Sequence, residues 1–257
     1  MDELFSRMLK VKYTHGGFFS YCSVRLTEIL QYTNKNKAVP IFVDSSQQFD
    51  LYRPDDVEGD VTYHFFTSND MIIPYAGKIR QCYDNQFKIY KELAFDQLSP
   101  FISKYFSVTP EILGIANTLI HKYKITPPNT IAVYYRGTDK GSEMALAAFI
   151  DYKIKIQSLR TNERVLIQTD SAGFLDEMND TKFIRIEENS VSYGVKGIHL
   201  ENTPTANYKA IKYFIATLLI LARCKSLICS SGNCSLWLVY YRGHARNMWQ
   251  NLNNEWF

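Results

Sequence analysis

From residue 108 onward, short apolar runs alternate with longer stretches of helical periodicity, and this alternation restricts the fold more than any other feature of the chain. Residues 130–135, 165–167, 183–186 and 226–229 read as buried strands. Thr109-Pro110-Glu111 opens a helix: a hydroxyl at the cap, proline at the first helical position, an acid in the first turn. Residues 144–156 read as a second helix. Thr203-Pro204 opens a long one, with Ile211, Phe214, Ile215, Leu218, Leu219 and Ala222 at spacings of three and four. Asp170-Ser171-Ala172 begins a short helix, and Ser230-Ser231-Gly232-Asn233 leads from the last strand into another. Strands separated by helices imply a parallel sheet with right-handed crossovers. Ligands of such sheets bind beyond the carboxyl ends of the strands. That rule selects the loops at 15–20, 136–143, 168–172, 187–193 and 230–233.

The first hundred residues carry a weaker version of the same pattern. A short strand at 11–13 meets His15-Gly16-Gly17-Phe18; a helix with Val24, Leu26, Ile29 and Leu30 on one face follows, then a strand at 39–43. Residues 61–66 and 71–73 are expected as strands and 86–93 as a helix. The prediction is an α/β chain of two Rossmann-like domains facing a cleft: residues 1–105, residues 106–243, and a C-terminal helix at 244–257. Trp249, Trp256 and Phe257 would pack that helix back across both domains.

Composition excludes several classes. A net charge of +3 over 257 residues, with no Lys/Arg run longer than two, argues against a nucleic-acid surface. The most apolar run, 214–222, is too short for a membrane span, and the N-terminus lacks the pattern of a signal peptide. The five cysteines form no Cys-x-x-Cys pair, and the five histidines show no metal-ligand spacing. A soluble, cytoplasmic protein with reduced thiols and no cofactor is expected. GxGxxG, GxxxxGK[ST] and GxSxG are all missing, which removes the usual dinucleotide, P-loop and α/β-hydrolase readings. The 18 Tyr and 16 Phe serve either core packing or the stacking of sugar rings.

The segment 133–143 concentrates the chemistry: an apolar strand runs into Arg136-Gly137-Thr138-Asp139-Lys140-Gly141-Ser142-Glu143. A guanidinium at a strand end suits two phosphate oxygens at once; the same residues would also make a surface ion-pair cluster. Glu143 and Asp139 are candidates for a general base. Glu143 would equally stabilise a helix start, and Asp139 would equally orient Arg136 or Lys140. Asp170 is a nucleoside ligand or a helix cap. The backbone N–H groups of Ser231-Gly232, where a helix begins, are a candidate phosphate cradle or simply a helix start.

Tyr134-Tyr135-Arg136-Gly137-Thr138-Asp139-Lys140 followed by Glu143 resembles the arginine motif of the fucosyltransferase-like glycosyltransferases, which include the α1,6, nodulation and protein O-fucosyltransferases. Residues 166–170, ending in Thr169-Asp170, and residues 229–233, containing Ser230-Ser231, are similar to two further strand ends of that family. Asn189-Ser190-Val191-Ser192-Tyr193 and the later His199 resemble a segment of the α1,6 branch. The match covers about residues 108–240. Gly137 stands where that branch has a second arginine, and Tyr134 where it has histidine. The resemblance implies a GT-B fold and an inverting, metal-independent transfer from a nucleotide sugar, GDP-fucose by default, to a carbohydrate hydroxyl. It also implies donor contacts at Arg136, Thr138, Asp170, Ser190, Ser192, Tyr193, His199, Ser230, Ser231, Gly232 and Asn233, and an acceptor-side loop at His15, Gly16, Gly17 and Phe18. Another donor such as UDP-xylose, or a non-catalytic sugar- or nucleotide-binding module, are the alternatives. No Asp-x-Asp motif occurs, in keeping with metal independence. A bacterial or viral origin is expected.

Overall fold

The computed structural model describes residues 7–12, 16–79, 83–159, 162–180 and 183–257. Its centre is a six-stranded sheet. In chain order the strands are β5 (Thr130–Tyr135), β6 (Arg164–Thr169), β7 (Phe183–Arg185), β8 (Ser226–Ser230), β9 (Met248–Leu252) and β10 (Glu255–Trp256). They lie in the order β10-β9-β8-β5-β6-β7, parallel except for β10, which turns back on β9. β5 is fully buried and pairs on both sides, with Ile131 to Tyr134 opposite Ser226 to Cys229 and Val133 to Tyr135 opposite Ile167 to Thr169. A strand so enclosed gives its carboxyl end a rigid backbone, and Arg136 is the next residue.

The crossovers include α4 (Phe149–Leu159), α5 (Ala172–Glu177) and α6 (Pro204–Ala222); α7 (Asn233–Arg242) follows β8. α6 is a cleanly signalled helix: the Thr203 hydroxyl accepts from the Ala206 N–H at 3.3 Å, and Pro204 occupies the first turn. α3 (Pro110–Lys122) begins at the expected proline, although Thr109 makes no side-chain cap. Ser171, rather than Asp170, caps α5 through the Phe174 N–H at 3.2 Å.

Toward the N-terminus, β1 (Met8–Lys10) and β2 (Phe42–Asp44) form a two-stranded parallel sheet joined by α1 (Phe18–Asn36). Residues 61–64 form a 3-10 turn instead of the expected strand, followed by β3 (Phe66–Thr67), which pairs antiparallel with β4 (Ser107–Val108). Residues 71–73 are irregular, and 86–93 break into two 3-10 turns instead of one helix. Local apolar runs are the only signal there, and the turn at 83–87 packs against α1 and α7. α2 (Phe95–Tyr105) completes this part.

The C-terminal helix expected at 244–257 is not formed. Residues 248–256 make β9 and β10 instead, extending the central sheet. Gly243 at φ 72° ends α7, and the chain then pairs with the free edge of β8. Its ladder hydrogen bonds replace the amphipathic contact that a helix would have needed. One apolar cluster runs from Val11 and Phe18 in the first part through Phe101 and Phe106 to Trp237 and Met248. Trp237 donates its indole N–H to Ser23 Oγ at 2.9 Å, and that hydroxyl donates to Asn233 Oδ1 at 2.7 Å. α1 and α7 are thus joined by buried polar bonds as well as by packing.

Candidate active site

A cavity of about 650 Å³ opens at the carboxyl end of β5, between the Gly16-Gly17 loop with α1 and the loops after β5, β6 and β7. Its size lies within the range of small-molecule sites. Arg136 is in its wall with the side chain 18 % exposed. The backbone there is held by the Arg136 N–H on Ser230 Oγ at 3.0 Å. The guanidinium meets two carboxylates: Nη2 donates to Asp139 Oδ1 at 2.7 Å, and Nε lies 2.6 Å from Asp170 Oδ2. The Nε–H is poorly aligned on that oxygen, so the second contact is a charge pair and not a well-formed hydrogen bond. Nη1 reaches Cys234 Sγ at 3.4 Å. Burial works against the guanidinium charge, yet Cys234, Asp170, Tyr134 and Asp139 together raise its pKa. Burial likewise opposes the Asp139 charge, and Arg136 overrides it, holding that carboxyl below its usual range.

Asp170 organises the loop as well. It accepts the Gly137 N–H at 2.8 Å and the Thr138 hydroxyl at 2.7 Å. Thr138 is buried under the loop, outside the cavity wall. Gly137 is fixed by space: a β-carbon would come within 2.6 Å of Tyr135 Cε1 and 2.9 Å of Ser171 Cβ. The Tyr135 ring cannot yield, because it stacks on Phe174 at 4.3 Å. An arginine at 137 would have to displace these groups.

Lys140 also faces the cavity, though its side chain is only 8 % exposed. Nζ pairs closely with Glu143 and lies 3.3 Å from Gln86 Oε1. Its stem passes over Gly232, where a β-carbon would sit 2.9 Å from Lys140 Cε. Glu143 is the most open of these charged groups, at 41 %. Among the described residues, no three His, Cys, Asp or Glu side chains cluster as a metal site would.

The expected phosphate cradle at Ser230-Ser231-Gly232 is not available. The Ser231 N–H and hydroxyl both donate to the Asn251 carbonyl at 2.8 Å, and the Gly232 N–H donates to the Tyr90 hydroxyl at 3.0 Å. All three residues stand behind the wall; only Asn233 and Cys234 of that segment reach the cavity. Asn251 belongs to β9, which forms where the sequence pattern suggests a helix, so the competition for these N–H groups is not visible in the sequence.

Asn189 and Ser190 line the cavity. Asn189 Nδ2 donates to Gln168 Oε1 and Thr217 Oγ1, both at 2.9 Å. Ser192 and Tyr193 do not: the Ser192 backbone bonds Asp170 and Ala172, and Tyr193 is 79 % exposed with its hydroxyl on Asp176 Oδ2 at 2.8 Å. Gly16, Gly17 and Phe18 are in the wall, while His15 lies outside the described residues. Sequence reasoning missed Tyr52 and Asn207, which reach the cavity from a 3-10 turn and from α6 and carry no local motif.

No family model matches the sequence, and no curated protein matches it either. Solved structures do match its fold. The chain has an α/β fold of the GT-B type, shared with solved fucosyltransferases. An α1,6-fucosyltransferase, NodZ, co-crystallised with GDP superposes with a TM-score of 0.56 at 13 % identity, over 98 % of this chain and 97 % of that one. NodZ soaked with GDP-fucose gives 0.57 at 14 % identity, over 96 % of each chain. The fucosyltransferase NodZ from Bradyrhizobium gives 0.54 at 13 % identity, over 95 % and 94 %.

Proposed function

We propose that this chain is an inverting, metal-independent glycosyltransferase that moves a sugar from a nucleotide-sugar donor, GDP-fucose first, to a carbohydrate hydroxyl. One observation carries the reading: an arginine fixed at the end of a fully buried strand, in the wall of a cavity of suitable size. Support comes from the fold, shared over nearly its whole length with fucosyltransferases crystallised with GDP and GDP-fucose.

In this reading Arg136 and Lys140 hold the diphosphate, the work that a divalent cation does in metal-dependent enzymes. Arriving phosphate gives Lys140 a stronger anion than Glu143. Glu143 is thereby released to take the acceptor proton. The acceptor oxygen attacks the anomeric carbon, the sugar–phosphate bond breaks toward the phosphate, and Arg136 meets the charge that grows there. Asp139 and Asp170 hold the guanidinium in place for that step.

A thermal-shift panel of nucleotides and nucleotide sugars tests the donor. A nucleotide at about 100 times its Kd should add about 2.7 kcal/mol of stability, a shift of roughly 5–10 °C at this chain length. GDP and GDP-fucose are expected to give it. A shift with UDP-xylose alone would reassign the donor, and no shift with any nucleotide would sink the reading. Activity should also survive EDTA undiminished. Loss with EDTA, restored by Mn²⁺ or Mg²⁺, would mean a metal-assisted departure of the diphosphate. Slow release of free sugar from the donor in the absence of acceptor separates an enzyme from a binding module.

A further inference from the structure

We infer that His199 binds the sugar of the donor, its imidazole hydrogen-bonding hydroxyls of the transferred glycosyl group while Arg136 and Lys140 hold the diphosphate. The inference rests on the nucleotide-sugar reading above and deepens it.

His199 sits where the two parts of the molecule meet. Its carbonyl accepts from Asn207 Nδ2 at 2.7 Å, and the same amide donates to the Leu51 carbonyl at 3.1 Å. That pins the His199 backbone to the turn carrying Tyr52, whose ring stacks on the imidazole at 6.4 Å and 23°. Gly17 closes on the ring from α1. A β-carbon there would lie 3.3, 3.6 and 3.7 Å from Cε1, Nε2 and Nδ1, so any side chain at this position would press on the imidazole. On the other side, a β-carbon at Gly197 would be 2.7 Å from His199 Cε1 and 3.2 Å from Asp139 Oδ2, which places the ring beside the carboxylate that steadies Arg136.

Among the described residues the ring is held by packing. Neither nitrogen makes a hydrogen bond with a described residue, and both belong to a side chain that lines the cavity. The charged and titratable groups facing it are Arg136, Asp139 and Tyr52. Burial, and then Arg136, push its pKa below the ordinary value against the pull of Asp139. A neutral imidazole offers one donor and one acceptor. That pair suits neighbouring sugar hydroxyls and is ill suited to a diphosphate. The position agrees: the ring lies in the cavity wall between the Arg136 loop and the Gly16-Gly17 loop, beside the cation that would hold the diphosphate.

The test compares GDP with GDP-fucose by titration calorimetry, on the whole chain and on His199→Ala, His199→Gln and Gly17→Ala. His199→Ala should leave the Kd for GDP within about twofold and raise the Kd for GDP-fucose by about 3- to 10-fold, the loss of one hydrogen bond. His199→Gln, which keeps a donor and an acceptor, should recover part of that loss. Gly17→Ala, which pushes on the ring, should weaken GDP-fucose more than GDP. Equal weakening of both ligands would make His199 a structural or phosphate-site residue, and no weakening of GDP-fucose would remove it from the site; either result overturns the inference while leaving the nucleotide-sugar reading intact. If the unaltered chain binds neither ligand, both fall together. Unchanged melting temperatures without ligand show that the variants are folded.

Discussion

Glu143→Gln is expected to cut turnover by roughly 10²–10⁴, the usual contribution of a general base, while GDP affinity stays the same or rises slightly. The change is nearly isosteric, and at 41 % exposure the side chain carries little of the core, so the melting temperature should barely move. Affinity need not fall because Lys140 loses its competing partner and turns fully to the diphosphate. Asp139 is the alternative base, and its geometry weighs against it: its carboxylate is bonded to Arg136 and held below the usual range, which makes it a poor proton acceptor. The measurement is kcat for transfer beside the Kd for GDP, for Glu143→Gln and Asp139→Asn. A silent Glu143→Gln, together with an inactive Asp139→Asn that binds GDP normally, would reverse the assignment.

Arg136→Lys is expected to lose on the order of 10²-fold in turnover although the charge is kept. A guanidinium holds two oxygens in fixed geometry, whereas an ammonium is a point charge. A preorganised donor to the transition state contributes about 2.7–4 kcal/mol. The structure adds a second consequence. Arg136 is also the partner of Asp139 and Asp170, with side chains 30 % and 16 % exposed. Arg136→Ala removes the guanidinium that those two carboxylates share. Breaking a fully buried pair in this way costs about 3–5 kcal/mol; with the partial exposure here a smaller but measurable drop in melting temperature should accompany the loss of activity. Arg136→Lys should keep most of the stability, which separates the catalytic effect from the structural one. Activity close to the unaltered level in Arg136→Lys would show that the guanidinium serves the loop alone.

How far the sequence could be read depends on whether the signal was local. The strand before Arg136 and the helix start at Thr203-Pro204 rest on periodicity and on residues adjacent in the chain. These physical requirements are met within a few residues. The element at 244–257 failed for the opposite reason. Trp249, Trp256 and Phe257 suggested a helix, but an open edge of β8, some twenty residues earlier, offered ladder bonds that no local pattern displays. The helix expected at 86–93 failed in the same way, since the turn at 83–87 packs on α1 and α7.

The site shows the same division. By itself the sequence determined which loops stand at the carboxyl ends of the strands, and so which of Arg136, Asp139, Lys140, Glu143 and Asp170 could share one place. Only the tertiary structure decided their partners. It committed Asp170 to Arg136, Gly137 and Thr138, spent the Ser231 and Gly232 N–H groups on Asn251 and Tyr90, turned Tyr193 outward, and set His199 against Gly17 and Tyr52. Hydrogen-bond satisfaction and close packing choose among groups far apart in the chain, and that choice is made only when the strands and helices come together.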